Sequence, residues 1–254
     1  MSTFAPQPGA APLSHQVLAQ ARMETKLLLR NGEQLLLAIV IPLIVLVGGI
    51  LAADHLHLTG SPVDTLTPGI LALAVMSTSF TSLAIATGFE RRYGVLKRLG
   101  SSPLPRSGLL AGKVGALLLV EALQAIVICA VALALGWDPA LTATSVVGAL
   151  LTAALGTAAF AALGLLLAGA LRAEATLAAA NLVYLLLMAG GAVVLPTTSY
   201  GGFGHVLAYL PSGALGSGLR QSLLGQGFPG WHLAVLAVWA IAGTLLTSRT
   251  FKWE

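Results

Sequence analysis

The sequence predicts an all-α integral membrane protein, and three observations carry that prediction. The chain is 57% hydrophobic, with a mean hydropathy of +0.90. Only 9% of its residues are charged, whereas a soluble domain carries about a quarter, so too little polar surface is left to solvate a 254-residue globule. The apolar residues also fall into six runs, each close to the roughly 20 residues that a bilayer crossing needs, and nearly all Lys and Arg residues fall on one side of those runs.

Residues 1–12 carry Pro6, Pro8 and Pro12 and read as a disordered tail. In residues 13–34, Ser14 can cap a helix on which Val17, Leu18, Ala21 and Leu28 recur at helical spacing while Arg22, Lys26 and Arg30 face elsewhere. That pattern predicts an amphipathic helix lying on the inner membrane face. Glu24 falls on its apolar side, and an irregular polar leader is the alternative. The segment is too long and polar for the leading part of a signal peptide, so no cleavage is expected. Residues 35–254 form the transmembrane domain, with spans at 35–53, 68–88, 114–135, 145–171, 175–195 and 231–248. These runs are continuous and lack the alternation of barrel strands, which leaves helices. Pro42 can kink the first span. Residues 196–230 form a long outer segment with nine Gly. Within it, Ser212–Leu224 reads as a short helix that either dips into the membrane or lies over the bundle.

With both termini inside, the inner pieces 1–34, 89–113, 172–174 and 249–254 hold 12 of the 13 Lys and Arg residues. The outer loops hold Arg220 and the acids Asp54, Asp64 and Asp138. This asymmetry sets the orientation. Six of the cations sit in 89–113: Arg91, Arg92, Lys97, Arg98, Arg106 and Lys113. The formal charge of +4 does not point to nucleic acid, because the basic residues flank apolar spans and lack interleaved stacking aromatics.

No motif completes a catalytic or metal site. Gly108-Leu-Leu-Ala-Gly112-Lys113 has three residues between its glycines and Val114 after the Lys; a phosphate-binding loop needs four, then Ser or Thr. His55 and His57 beside Asp54 fall short of a ligand set and fit a solvated loop better. Ser212 and Ser217 precede glycines but lack the Gly two residues before that an intramembrane serine protease would want. The lone Cys129 lies in an apolar run and has no intramolecular disulfide partner. Glu121, inside the third span, is either a proton relay or a carboxylate paired with a hydroxyl or Arg; the pairing is preferred because no second buried acid accompanies it. Ser77, Thr78, Ser79, Thr81 and Ser82 surround the second span. Asn181, Tyr184 and Met188 share a face of the fifth. Both sets fit either a substrate path or helix-to-helix hydrogen bonding.

The stretch Glu90-Arg-Arg-Tyr-Gly-Val-Leu-Lys-Arg-Leu99, followed by Pro103-Leu-Pro-Arg106 and Gly112-Lys113, resembles the signature of type-2 ABC exporter permeases, with Val95 where Thr is usual. Gly190-Gly-Ala-Val-Val-Leu-Pro196, Tyr209-Leu-Pro211 and Leu219-Arg220 resemble a second block of that family, and Arg30-Asn31 and Pro42 also fit. The nearest branch is similar to the daunorubicin-resistance type. The resemblance implies the permease subunit of an exporter for a drug-, antibiotic- or lipid-like substrate in a bacterial plasma membrane. It implies a homodimer or heterodimer of permeases with two copies of a separate ATPase. That ATPase binds the ATP and Mg; this chain holds no cofactor and is not itself an enzyme. Glu90, Arg91, Tyr93, Leu96, Lys97 and Leu99 would couple to the ATPase, and Arg106 and Lys113 would position the loop. Ser77, Thr81, Asn181 and Tyr184 are candidates for the substrate path. An ion- or proton-coupled carrier and a membrane-embedded enzyme are the competing readings.

Overall fold

The computed structural model describes the backbone of residues 11–30, 32–53, 61–100 and 105–250 and, among these, all side chains except those of 33–37, 96, 100, 106 and 107. The expected tail over 1–10 and the group Asp54, His55 and His57 lie outside the described residues. Among the described residues the main helices are α1 (Leu13–Arg30), α2 (Gly32–Leu51), α3 (Pro62–Arg92), α4 (Val95–Gly100), α5 (Arg106–Ala134), α6 (Ala143–Ala170), α7 (Ala173–Gly190), α8 (Pro211–Leu223) and α9 (Gly230–Thr250), with short helical turns at Thr197–Phe203 and Gly204–Leu207. Five of them, α3, α5, α6, α7 and α9, are long and apolar enough to cross a membrane; α2 adds a shorter apolar stretch, Ala38–Leu51.

α3 is the central element. Ser61 precedes it in an extended conformation, Pro62 starts it and Asp64 lies in its first turn, residue types that suit a helix N-terminus. It is buried on nearly every side from Val63 to Met76, as expected of a helix apolar all round. At 31 residues it is about 47 Å long against a hydrocarbon core of about 30 Å, so it carries the Glu90-Arg91-Arg92 turn beyond its apolar length. The sequence places this span at 68–88; the helix is longer at both ends because Pro62 and Asp64 suit its first turn and Arg91 and Arg92 its last. A π-helical stretch, Ser77–Ser82, interrupts it midway. There the Ser79 hydroxyl donates to the Val75 carbonyl at 2.6 Å.

α3 packs against α2, α5, α6, α7 and α8. Their shared core holds Leu46, Leu66, Ile70, Leu73, Met76, Phe160 and Leu215, with Phe80 edge-on to Phe160 at 6.3 Å. α6 supplies small residues where neighbours come closest. A Cβ at Gly156 would meet the Leu215 side chain at 2.6 Å, and one at Gly164 would meet the Phe80 carbonyl at 2.8 Å. Such close approach is how helices associate where apolar burial gives little drive. Thr142 caps α6 by accepting the Ser145 N–H.

The end of the fifth span differs from the expectation. The fifth apolar run extends to Leu195, but α7 stops at Gly190. Residues 191–195 are buried non-helical backbone, with Ala192 at φ +53°. The short outer helix has the expected limits within one residue, yet it does not lie over the bundle: α8 is buried along nearly its whole length between α3, α6 and α9.

Candidate functional site: the basic loop and its stems

The loop between α3 and α5 is held at its base by charge. Lys113 Nζ, on the first turns of α5, donates to Glu90 Oε1 on the last turn of α3 at 2.6 Å. It also lies 3.1 Å from Glu24 Oε1 on α1. Gln20 Nε2, one turn earlier on α1, donates to the same Glu24 oxygen at 2.8 Å. The Lys113 side chain is only 6% exposed, so these bonds form in low-dielectric surroundings where removing one partner strands a charge. A water-sized cavity of about 20 Å³ lined by Glu24, Ser82, Leu83, Lys113 and Leu117 borders the cluster.

The neighbouring arginine fastens the loop to a different helix. Arg91 Nη1 and Nη2 donate to the carbonyls of Gly169 and Leu171, each at 2.6 Å. These are end carbonyls of α6, and a cation there meets both unbonded oxygens and the negative end of the helix dipole. Arg92 pairs with Glu174 at the start of α7 and lies 5.8 Å over the Tyr93 ring, which stacks on Phe89 at 6.2 Å. Gly94 then turns the chain at φ +67°, a conformation that suits glycine, and α4 follows.

Of the residues expected to couple to an ATPase, Tyr93 (64% exposed) and Lys97 face outward, while Leu99 is half-buried. Glu90 and Arg91 face inward and hold the stems. Lys113, expected to position the loop, sits at its base. The side chains of Leu96 and Arg106 lie outside the described residues. Of the four substrate-path candidates, Ser77 on α3 and Tyr184 on α7 lie on stretches that pack together. The Thr81 hydroxyl is buried with no partner among the described residues. Asn181 is on the exposed face of α7, apart from the others. Glu121 accepts from the Thr157 hydroxyl at 2.6 Å, the hydroxyl pairing preferred from the sequence. Among the described residues no group of three His, Cys, Asp or Glu converges to hold a metal.

Two polar hubs were not read from the sequence. Gln124 is fully buried on α5; it accepts from Thr78 at 2.8 Å and donates to the Ala38 carbonyl at 2.9 Å. Arg220, taken as an outer-loop charge, is only 6% exposed. Its Nη2 donates to the Val193 carbonyl at 2.8 Å and to that of Val194, and its Nε to Thr65 O at 3.3 Å. Ser212 donates to Gly191 O at 2.8 Å, so α8 satisfies the backbone that α7 leaves unwound. Gly69 makes room for this anchor, since a Cβ there would meet Arg220 Nη2 at 2.5 Å.

A family model described as an ABC-2 family transporter protein matches residues 59–249, about three-quarters of the chain. No curated protein matches it.

Proposed function

Because the chain belongs to the ABC-2 family of transporter proteins, we propose that it is the permease subunit of an ATP-driven exporter, with α4 as the element on which a separate ATPase docks. α2 is then the first of six spans, both termini are cytoplasmic, and α8 re-enters the bundle from outside. One observation carries the docking assignment: the stems of the basic loop are fastened by Lys113–Glu90 and by Arg91 on the end of α6, while Tyr93 and Lys97 project outward. A short helix on a fastened base can pass a push to the spans beneath it. Tyr93, Leu96, Lys97 and Leu99 make the contact; Glu90, Arg91, Arg106 and Lys113 hold its base.

The working unit is two permeases, identical or different, with two ATPase copies that bind ATP and Mg, in the plasma membrane. The substrate is hydrophobic or amphipathic, as in the daunorubicin-resistance branch. Ser77, Thr81 and Tyr184 lie where α3 meets α7 and line its path. Asn181 joins them only where a second permease covers the exposed face of α7.

The test is reconstitution. The permease purified with its ATPase should move substrate in vesicles only with ATP, and vanadate should stop it. Charge reversal at Lys97 together with Arg98, or Glu90→Ala, should impair that transport while membrane insertion persists. Substrate movement driven by a proton gradient, without ATP or the ATPase, would sink the reading in favour of an ion-coupled carrier.

A further inference from the structure

The face that α1 turns inward carries the half-buried Val17, Ala21 and Leu28, yet its most buried residues are polar. Gln20 and Glu24 are its buried residues, whereas Leu18, Met23 and Leu27 are exposed. The inward face meets α5 along a seam of two glycines, and the first of them allows the contact: a Cβ at Gly112 would lie 2.6 Å from Gln20 Cγ and 2.9 Å from its Cβ. One turn on, a Cβ at Gly115 would lie 3.5 Å from Ala21 Cβ. Between these points Glu24 reaches Lys113, and Lys113 reaches Glu90. Residues 90 and 113 bracket the basic loop, so Glu24 is tied to the clasp that closes its base.

Neither charged bond explains the other. Lys113 and Glu90 would hold the loop stems together without α1. The Glu24 contact adds a third element and a second carboxylate to one ammonium, a costly arrangement for buried groups unless each bond is kept. Gln20 offsets part of that cost through its N–H to Glu24.

We infer that Glu24 is a positioning residue for coupling: through Lys113 it joins α1 and the first turns of α5 into one rigid unit that moves with the loop. On this view α1 does not slide over the membrane surface independently; it travels with the base of the docking element and widens the lever on which the ATPase acts. The inference rests on the exporter reading above.

Two measurements on the full permease–ATPase complex test it, in a Cys129→Ser background. The first locks the seam with Ala21→Cys and Gly115→Cys, whose Cβ separation suits a disulfide. Oxidation should cross-link the pair, and the locked complex should transport at close to the unlocked rate with reductant making no difference. Failure to cross-link, or a block of transport that reductant relieves, would overturn the rigid unit. The second is Glu24→Gln, which keeps size and removes charge. Transport per ATP hydrolysed should fall by about tenfold while hydrolysis persists, and Glu24→Asp should restore most of it. An unchanged ratio in Glu24→Gln would refute the positioning role. A wild-type complex that shows no ATP-dependent transport would remove the exporter reading and this inference with it. A working wild type with a blocked, locked seam would remove the inference alone.

Discussion

Pro42 and Gln124 should be thermodynamically coupled, although they lie on different helices. Proline has no N–H, so α2 cannot bond the carbonyl four residues earlier, that of Ala38. Gln124 Nε2 donates to that carbonyl at 2.9 Å, and its other end accepts from Thr78 at 2.8 Å. Gln124→Met keeps the length of the side chain and removes both bonds. The Thr78 hydroxyl can turn back to a carbonyl of its own helix, so the main loss is the Ala38 carbonyl. An unsatisfied buried group costs about 1–3 kcal/mol, and polar contacts between membrane helices measure at the lower end of that range. The expected cost of Gln124→Met is therefore about 1–2 kcal/mol. Pro42→Ala supplies a backbone N–H for Ala38, and in that background Gln124→Met should cost about 1 kcal/mol less. The four corners of this double-mutant cycle can be measured by SDS-induced unfolding in mixed micelles. Costs that agree between backgrounds to within about 0.5 kcal/mol would show that Gln124 does not compensate for the proline.

Arg220→Leu removes the donors to the Val193 and Val194 carbonyls and should destabilise the protein by about 2–4 kcal/mol. A reporter Val194→Cys should then label faster with a thiol reagent, and an unchanged labelling rate would contradict the anchor. Glu121→Gln keeps an acceptor for Thr157, so transport should keep its rate and pH profile; a tenfold loss with a flattened profile would restore the proton-relay reading. Gly94 has open space around it, so Gly94→Ala should act through backbone strain alone, about 1 kcal/mol, and weaken ATPase co-purification. Gly94→Asn should do less harm, because Asn tolerates that conformation; equal effects of Ala and Asn would exclude strain as the cause.

Five of the six expected spans were legible because the bilayer thickness imposes a run length that hydropathy registers directly. The limits of α8 were legible too, from Pro211 at its start, but its insertion was not. Its glycines at 213, 216 and 218 read as weak helix formers, whereas in the fold they are contact points: a Cβ at Gly218 would meet Thr152 Cγ2 at 2.9 Å. The end of α7 was hidden for a related reason. Residues 191–195 are as apolar as the helix before them, and hydropathy does not register backbone conformation; Gly190-Gly191 was the available signal. Glu24 was visible as a carboxylate on an apolar face. Its ion-pair partner, Lys113, lies 89 positions away in the sequence, beyond the reach of local periodicity. The same holds for Thr78 and Gln124.

Among the described residues the buried cations Lys113 and Arg220 are satisfied by different chemistry, and that difference bears on which parts of the fold each one holds. Lys113 is held by two carboxylates on separate helices. Its bonds depend on where α1 and α3 sit, not on how their backbones are wound. Arg220 bonds backbone carbonyls instead, and those of Val193 and Val194 are open to it because residues 191–195 are not helical. Were α7 to continue as a helix to Leu195, Ala192 would leave its φ of +53°, the Val193 and Val194 carbonyls would turn along the helix axis as end carbonyls, and Arg220 would keep only its bond to Thr65 O. Stranding that buried charge costs about 3–5 kcal/mol, which offsets the backbone bonds that the N–H groups of residues 192–195 would gain. The length of α7 is thus set in part by a side chain 30 positions beyond its last residue, Gly190. Substituting Arg220 removes the force that keeps the segment unwound as well as an anchor for α8.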